Sequence, residues 1–218
     1  MNYLSHFYID QKPDNHYFNV GLLLPDFARN HVTIFPKLAL FDKEQHSKIH
    51  AGCMAHYAAD KKFHSSDFFE HYTEAFKTHL KAAPFSDSFQ RRWFLAHILF
   101  EMMIDRLLVK HIDGLCKTYY KGLDEVEQIV LGEFLLLNQA KNPDELLRNF
   151  NHFRNAKYIF QYIDNNTLVY SLSRVLQYAG IGMISLEDKL VLRQCIIELE
   201  ESIFKNALQI ITEVKSIF

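Results

Sequence analysis

The segment RRWFLAHILFEMMIDRLLVKH, residues 91–111, decides the fold class because its central part leaves almost no polar side to face water. Between Trp93 and Ile104 every residue is apolar except His97 and Glu101. A helix that is apolar all round is buried in the interior of a protein. The segment therefore predicts a buried helix.

The composition of the whole chain agrees with an all-α fold class. The 218 residues include only 7 Gly and 5 Pro, which is few turns for an all-β protein of this length. Hydrophobic residues make up 49% and aromatic residues 14% of the chain, so it can bury a sizeable core and is not disordered. We predict one all-helical domain over residues 1–218, a helical bundle.

Charge and targeting signals exclude several functional classes. The net charge is −2, so the chain lacks the basic surface that nucleic acid requires. No stretch approaches the ~18 apolar residues of a membrane span, and the N-terminus does not resemble a signal peptide. Cys53, Cys116 and Cys195 lack the CxxC spacing of a thiolate zinc site and are typical of reduced thiols. These features predict a cytoplasmic protein.

Local signals predict where some helices begin and end. Pro25 should break or kink a helix over residues 17–29. A long helix from about Ser47 should be interrupted at residues 65–67, where Asp67 can cap a new start. The next helix should open at Ser86 or Ser88 and reach about residue 111.

The C-terminal half is predicted to support a site that lies mostly in residues 1–111. Of 12 histidines, 11 lie in residues 1–111 and only His152 lies in residues 112–218. Ser185 should open a long amphipathic helix that could reach residue 217, with apolar residues at three- and four-residue steps. That pattern favours core packing, and the seam of a homodimer is the alternative.

The segment AGCMAHYAADKKFHSS, residues 51–66, carries the first candidate metal ligands. His56, Asp60 and His64 follow one another at four-residue steps, which places them on one slightly slanted helix face. Imidazole and carboxylate groups are ligands for Mn, Fe or Zn. The alternative is a water-facing helix that contains two histidines.

A second series of four-residue steps lies in the buried segment. His97, Glu101 and Asp105 repeat the spacing in an apolar setting. A buried carboxylate is costly unless it is paired or bound to a cation. Glu101 could instead pair with Arg or Lys elsewhere in the core. Two such series in one chain favour a metal.

Two further residues extend the set of oxygen and nitrogen donors. His6 lies in an aromatic and apolar N-terminal turn, and Asp26 follows the helix-breaking proline in GLLLPDF. With both series, they could hold one or two divalent cations. Other site types are not indicated, since the chain has no HExxH, ExxH, GxGxxG or GxSxG pattern.

Four segments resemble, in order, the motifs of the acyl carrier protein phosphodiesterase family. They are MNYLSHF, GLLLPDFARN, AGCMAHYAAD and EMMIDRLLVKH. The resemblance implies an all-helical fold similar to HD-domain phosphohydrolases and a divalent metal, usually manganese. It implies removal of the 4′-phosphopantetheine arm from holo acyl carrier protein, a reaction of fatty acid and lipid metabolism. It places six residues at the metal-dependent site: His6, Asp26, His56, Asp60, Glu101 and Asp105.

The chain departs from the family pattern near His56. The family's HRxID becomes HYAAD, which loses one or two arginines that would suit a phosphate or an acidic carrier. His64 stands in place of a family acid and His97 adds a nitrogen, so Fe or Zn is an alternative to Mn.

Acidic and basic side chains can also be given roles in a reaction. Asp26 or Asp60 could act as the base. Four basic residues are candidates for contact with phosphate or an acidic protein, with a solvated helix surface as the alternative: Lys61, Lys62, Arg91 and Arg92. The alternatives are hydrolysis of another small phosphoester, or a non-catalytic helical binding protein.

Overall fold

The computed structural model describes residues 1–33, 35–36, 41–86, 92–180 and 182–218. These residues form α-helices joined by short turns, with one 3-10 helix and no strand among them. The predicted all-α fold class is confirmed. In the same ranges, no helix is both long enough and apolar enough to cross a bilayer. The α-helices are α1 (Tyr3–Asp10), α2 (His16–Phe27), α3 (Glu44–His64), α4 (Asp67–Ala82), α5 (Arg92–His111), α6 (Leu115–Asp124), α7 (Gln128–Leu137), α8 (Pro143–Ala156), α9 (Asn165–Tyr178), α10 (Leu186–Ser202) and α11 (Ala207–Ser216), and the 3-10 helix is Tyr158–Ile163.

The helices group into two compact units, each built from two stretches of chain. Unit 1 comprises Met1–Lys62 and Asp113–Tyr158, and unit 2 comprises Phe63–Ile112 and Ile159–Phe218. A single domain over residues 1–218, with residues 112–218 in a supporting role, stays a prediction.

Unit 1 packs its helices around aromatic side chains. α1 lies against α2 and α6, and α8 packs on α6 and α7. Phe7 meets Tyr119 edge-on at 5.2 Å between ring centroids, and Tyr3 meets Phe153 in the same way at 5.3 Å. Because these contacts fix α1 in the core, His6 is held in a buried position.

Unit 2 is organised around α5, as the apolar segment predicts. α5 packs against α4, α9 and α11, and its residues from Leu99 to Leu108 are all buried. Phe100 stacks on Tyr72 at 5.6 Å and meets Phe76 at 5.4 Å. Burying an apolar stripe of this size supplies the main driving force for the unit. Trp93, in the first turn of α5, is 60% exposed.

Two predictions near the N-terminus are corrected in part: the helix does not break at Pro25, and a different residue caps α4. α2 continues through Pro25 to Phe27. The helix tolerates a proline in its last turn because only the hydrogen bond to the Gly21 carbonyl is lost there. The interruption after α3 is confirmed, but the cap of α4 is Ser66, whose hydroxyl accepts a hydrogen bond from the Phe69 N–H at 3.1 Å.

One boundary nearer the C-terminus also differs from the prediction. Ser185 caps α10 as expected, but the helix ends at Ser202 because the chain turns to bury Phe204 against Phe76. The Ser86 N–H and hydroxyl both donate to Asp188. Residues 87–91, which include Ser88, lie outside the described residues, so the opening of α5 at Ser86 or Ser88 stays a prediction. The predicted core packing of the tail is confirmed for its buried residues, which include Leu192, Cys195, Ile196, Leu199, Ile210, Ile211 and Val214.

Candidate metal centres

In unit 1, two glycines let α3 approach α2 closely enough for a side chain to reach the neighbouring backbone. Gly21 of α2 and Gly52 of α3 meet where no side chain would fit. One turn beyond Gly52, the His56 Nδ1 lies 2.8 Å from the Leu22 carbonyl oxygen. Since a carbonyl oxygen only accepts, Nδ1 carries the proton of this hydrogen bond.

That hydrogen bond decides what the other His56 nitrogen presents. With Nδ1 protonated, Nε2 carries a lone pair whenever the ring is neutral. This Nε2 lies 3.9 Å from the Asp26 Oδ1 and 3.8 Å from the Asp60 Oδ2. A lone pair between two carboxylates is favourable only with a proton or another cation among them. Metal-bound histidines typically donate their second N–H to a carbonyl in this way.

His6 adds a second imidazole to the same place. Its ring stacks on that of His56 with 3.7 Å between centroids, and the side chain is fully buried. Nε2 lies 3.2 Å from the Asp60 Oδ1, yet within the described residues neither ring nitrogen has a partner with hydrogen-bond geometry. Burial lowers the pKa of His6 to about 4, so the ring is neutral at pH 7.

Asp60 supplies the negative charge of the group. Burial alone would raise the pKa of Asp60, but the contacts with His6 and with the Met1 amino group hold that pKa well below its usual range. The Met1 amino group donates to Oδ1 over 2.7 Å, so a cation already lies against this carboxylate. An ionised carboxylate and neutral imidazoles are the protonation states that metal ions require.

The unit 1 group therefore fits a divalent cation. His6, His56 and Asp60 each place one ligand atom within 4.8 Å of the others, and Asp26 lies beside them. Nitrogen and oxygen donors in this proportion suit Mn, Fe or Zn. Two observations favour such an ion: the buried ring nitrogens of His6 lack hydrogen-bond geometry to any described residue, and the Leu22 carbonyl turns the His56 Nε2 toward Asp26 and Asp60.

Unit 2 holds a second group of potential ligands. His64, His97 and Glu101 also place one ligand atom each within 4.8 Å of one another. Burial acts to raise the pKa of Glu101, yet hydrogen bonds with His64 and His97 help to hold that pKa well below its usual range. Asp105 is completely buried one turn further along α5 and belongs to neither group of three. An ion shared by His56, Asp60 and the acids of α5 stays a prediction.

The predicted substrate-binding cations have different surroundings. Lys61 and Lys62 are exposed on α3, one and two residues after Asp60. Arg92 of unit 2 donates to the carbonyl oxygens of Lys81 and Phe85 at 3.3 and 3.4 Å, so its guanidinium already serves the fold. Arg91 lies outside the described residues.

Several residues that shape these groups gave no signal in the sequence. The Leu22 carbonyl orients His56, but any residue supplies a carbonyl there. Phe69 packs on both imidazoles of the unit 2 group and carries no ligand chemistry. Gly21 and Gly52 stand inside the quoted motifs, and their lack of side chains was the one available hint of a close helix contact.

Comparison of the chain with protein-family models, with curated proteins and with solved structures found no match. The resemblance to acyl carrier protein phosphodiesterases therefore stays a prediction.

Proposed function

We propose that the protein is a metal-dependent phosphodiesterase similar to acyl carrier protein phosphodiesterase. One observation carries the proposal: four of its six motif residues come together in unit 1 from three separate helices. They are His6 of α1, Asp26 of α2, and His56 and Asp60 of α3. A pattern of sequence alone gives no reason for these side chains to meet, whereas a shared metal-dependent reaction does.

The residues of unit 1 have two proposed roles, binding an ion and accepting a proton. His6, His56 and Asp60 would hold the ion, because their donor atoms lie within 4.8 Å of one another and both histidines are buried. When bound, a divalent ion supplies Lewis acidity that polarises phosphoryl oxygens and acidifies water. Asp26 is the proposed base, since its side chain is 34% exposed and can accept a proton from the attacking water molecule.

The proposed substrate is the phosphodiester that joins 4′-phosphopantetheine to holo acyl carrier protein, and hydrolysis would release the arm in the cytoplasm. Lys61 and Lys62 are the described cations next to Asp60 in sequence that could meet the phosphate or the acidic carrier. Manganese is the preferred ion by resemblance, and the two imidazoles make Fe or Zn a fitting alternative.

A second candidate function is hydrolysis of another small phosphodiester. Tyr57 occupies a position where the family has an arginine, and its hydroxyl accepts a hydrogen bond from the Phe35 N–H at 3.1 Å. A residue engaged with backbone in this way cannot replace a guanidinium as a phosphate partner. This substitution favours a substrate that does not depend on an arginine clamp.

The test measures hydrolysis of holo acyl carrier protein by mass spectrometry with added Mn²⁺, Fe²⁺ or Zn²⁺. We expect metal-dependent loss of the phosphopantetheine arm by the native protein. His56→Ala and Asp60→Ala should each reduce turnover by more than the roughly 10–100-fold that loss of an outer partner of a metal ligand costs. His152→Ala, an exposed histidine of unit 1, is the matched control and should retain full activity.

A generic chromogenic phosphodiester separates the two candidates. Turnover of this compound without turnover of the carrier protein would favour the small-substrate hydrolase. Undiminished activity in both His56→Ala and Asp60→Ala would refute a metal-dependent site in unit 1. Inactivity on both substrates with every metal would favour a non-catalytic binding protein.

A further inference from the structure

In unit 2, two imidazoles converge on one carboxylate oxygen. The Nε2 atoms of His64 and His97 each lie 2.9 Å from the Oε1 of Glu101. The Glu101 side chain is 10% exposed, whereas those of His64 and His97 are 32% and 31% exposed. The carboxylate thus lies at the base of the group, and the imidazoles stand between it and solvent.

The two rings are held in place by an aromatic side chain. Phe69 meets His64 edge-on at 4.7 Å and His97 at 5.0 Å between centroids. Phe69 is itself fixed where α4 begins, because its N–H donates to the capping hydroxyl of Ser66. Side chains whose rotamers are fixed by packing make a pre-organised ligand set.

A small surface cavity adjoins the group. It has a volume of about 330 Å³ and is lined by His64, Ser65, Ser66, Phe69, Glu70, Thr73, Glu74 and Lys77. The Thr73 side chain is buried, and within the described residues its hydroxyl has no hydrogen-bond partner. A buried hydroxyl without a partner normally meets a water molecule or a ligand. His64 therefore belongs to both the ligand group and the wall of a polar cavity.

We propose that His64, His97 and Glu101 form a site for a borderline transition-metal cation, with Zn²⁺ as the reference ion. Two imidazoles and one carboxylate are the three protein ligands of many zinc sites that keep a fourth position open to water or substrate. Mg²⁺ and Ca²⁺ prefer all-oxygen ligand sets, so this site discriminates against them. The proposal does not rest on the function assigned to unit 1, whose ligands it does not share.

The chain contains a built-in reporter for this site. Trp93 is its one tryptophan and lies on α5 one turn before His97. Co²⁺ takes the place of Zn²⁺ in such ligand sets and, as an open-shell ion, quenches a nearby indole. Titration of the full-length protein with Co²⁺, followed by Trp93 fluorescence and by the visible absorption of the ion, measures binding next to α5. Added Zn²⁺ should reverse both signals, and added Mg²⁺ should not.

Glutamine variants separate a metal site from a hydrogen-bonded cluster. In His64→Gln and His97→Gln the amide N–H can still donate to Glu101, but the imidazole lone pair is gone. We expect unchanged thermal unfolding of the metal-free proteins and an apparent Co²⁺ dissociation constant raised by more than about 10–100-fold. His71→Gln, at an exposed position of α4, is the matched control and should bind as the native protein does.

A further variant distinguishes this site from the group in unit 1. His56→Asn should leave the quenching of Trp93 unchanged, even if it abolishes hydrolysis. Absence of quenching in the native protein at millimolar Co²⁺ would overturn the site. So would quenching in both His64→Gln and His97→Gln that equals the quenching of the native protein. Competition by Mg²⁺ as effective as that by Zn²⁺ would overturn the assigned class of ion.

Discussion

Gly21 and Gly52 lie face to face where α2 crosses α3, and a Cβ atom on either residue would come within 2.8 Å of the other's Cα. A Cβ on Gly52 would also lie 2.1 Å from the Phe18 carbonyl oxygen. The three atoms nearest to each added Cβ all belong to the backbone, so the clash cannot be relieved by moving a flexible side chain. The close crossing is what allows His56 to reach the Leu22 carbonyl.

Gly52→Ala should therefore destabilise the protein strongly. We expect the free energy of unfolding to fall by about 3 kcal/mol or more, at the upper end of the range for overpacked positions. Urea-induced unfolding followed by circular dichroism measures the change. Metal binding in unit 1 should weaken as well, because the two helices must separate.

Gly122→Ala is the control for the helical effect of the substitution. Gly122 lies in α6 with no atom within 4 Å of a Cβ placed there. Alanine in a helix is favoured over glycine by roughly 0.5–1 kcal/mol, so this variant should be slightly more stable than the native protein. A Gly52→Ala protein as stable as Gly122→Ala would contradict the close crossing.

The helical periodicity in the sequence predicts the fold class and the ligand pairs within one helix, but less about how helices meet. The steps from His56 to Asp60 and from His97 to Glu101 follow from 3.6 residues per turn, and each pair lies in one group. Spacing alone could not bring His6 to His56, because that contact depends on how α1 packs in the core. The motif resemblance did place them at one site.

Helix ends were harder to predict where tertiary contacts decide them. Nothing local stops α10 at Ser202, and the turn serves to bury Phe204. Ser86 likewise makes a long-range contact, since its N–H donates to Asp188, 102 residues further along the chain. Local sequence signals do not predict such a contact.

Asp188→Ala should destabilise unit 2 because three donors lose their acceptor. Asp188 is buried and accepts from the Ser86 N–H at 2.8 Å, the Ser86 hydroxyl at 2.7 Å and the Ser185 hydroxyl at 2.9 Å. We expect a loss of about 2–3 kcal/mol in the free energy of unfolding. Glu187→Ala also removes an acid from the first turn of α10, but from an exposed position, and should change stability by less than about 0.5 kcal/mol. Equal losses of stability in Asp188→Ala and Glu187→Ala would show that the interaction of an acid with the helix dipole, and not the hydrogen bonds to Asp188, causes the effect.

Glu200 should make the stability of unit 2 depend on pH. The buried Arg106 donates to the Tyr162 carbonyl at 2.9 Å and to the Glu200 Oε2 at 2.7 Å, and Lys110 donates to the Oε1. Burial acts to raise the pKa of Glu200, but the hydrogen bonds from Lys110 and Arg106 outweigh it and lower that pKa. A lowered pKa in the folded state means that the stabilisation is complete above the pKa of the unfolded chain. It is lost as pH falls through the folded-state value.

Glu200→Gln should accordingly lower the free energy of unfolding at pH 7 by about 2–3 kcal/mol, because it leaves the buried Arg106 without its carboxylate. The difference from the native protein should shrink steadily below a pH of about 4.3, the ordinary glutamate pKa at which the unfolded chain begins to take up the proton. Urea unfolding at a series of pH values measures it. Glu201→Gln, at the neighbouring exposed position, should show no such dependence. A pH-independent difference would mean that charge is not the cause.

The orientation of His56 provides the sharpest test of a metal in unit 1. The amide nitrogen of asparagine can take the place of Nδ1, so His56→Asn keeps the hydrogen bond to the Leu22 carbonyl and removes Nε2 alone. The metal-free variant should unfold within about 1 kcal/mol of the native protein. Metal at 100 times its dissociation constant should stabilise the native chain by about 2.7 kcal/mol, and this gain should vanish in His56→Asn. Both proteins should carry His97→Gln, so that unit 2 does not contribute. Thermal unfolding with and without Mn²⁺ or Zn²⁺ measures the gain, and an equal gain in both proteins would show that Nε2 binds no metal.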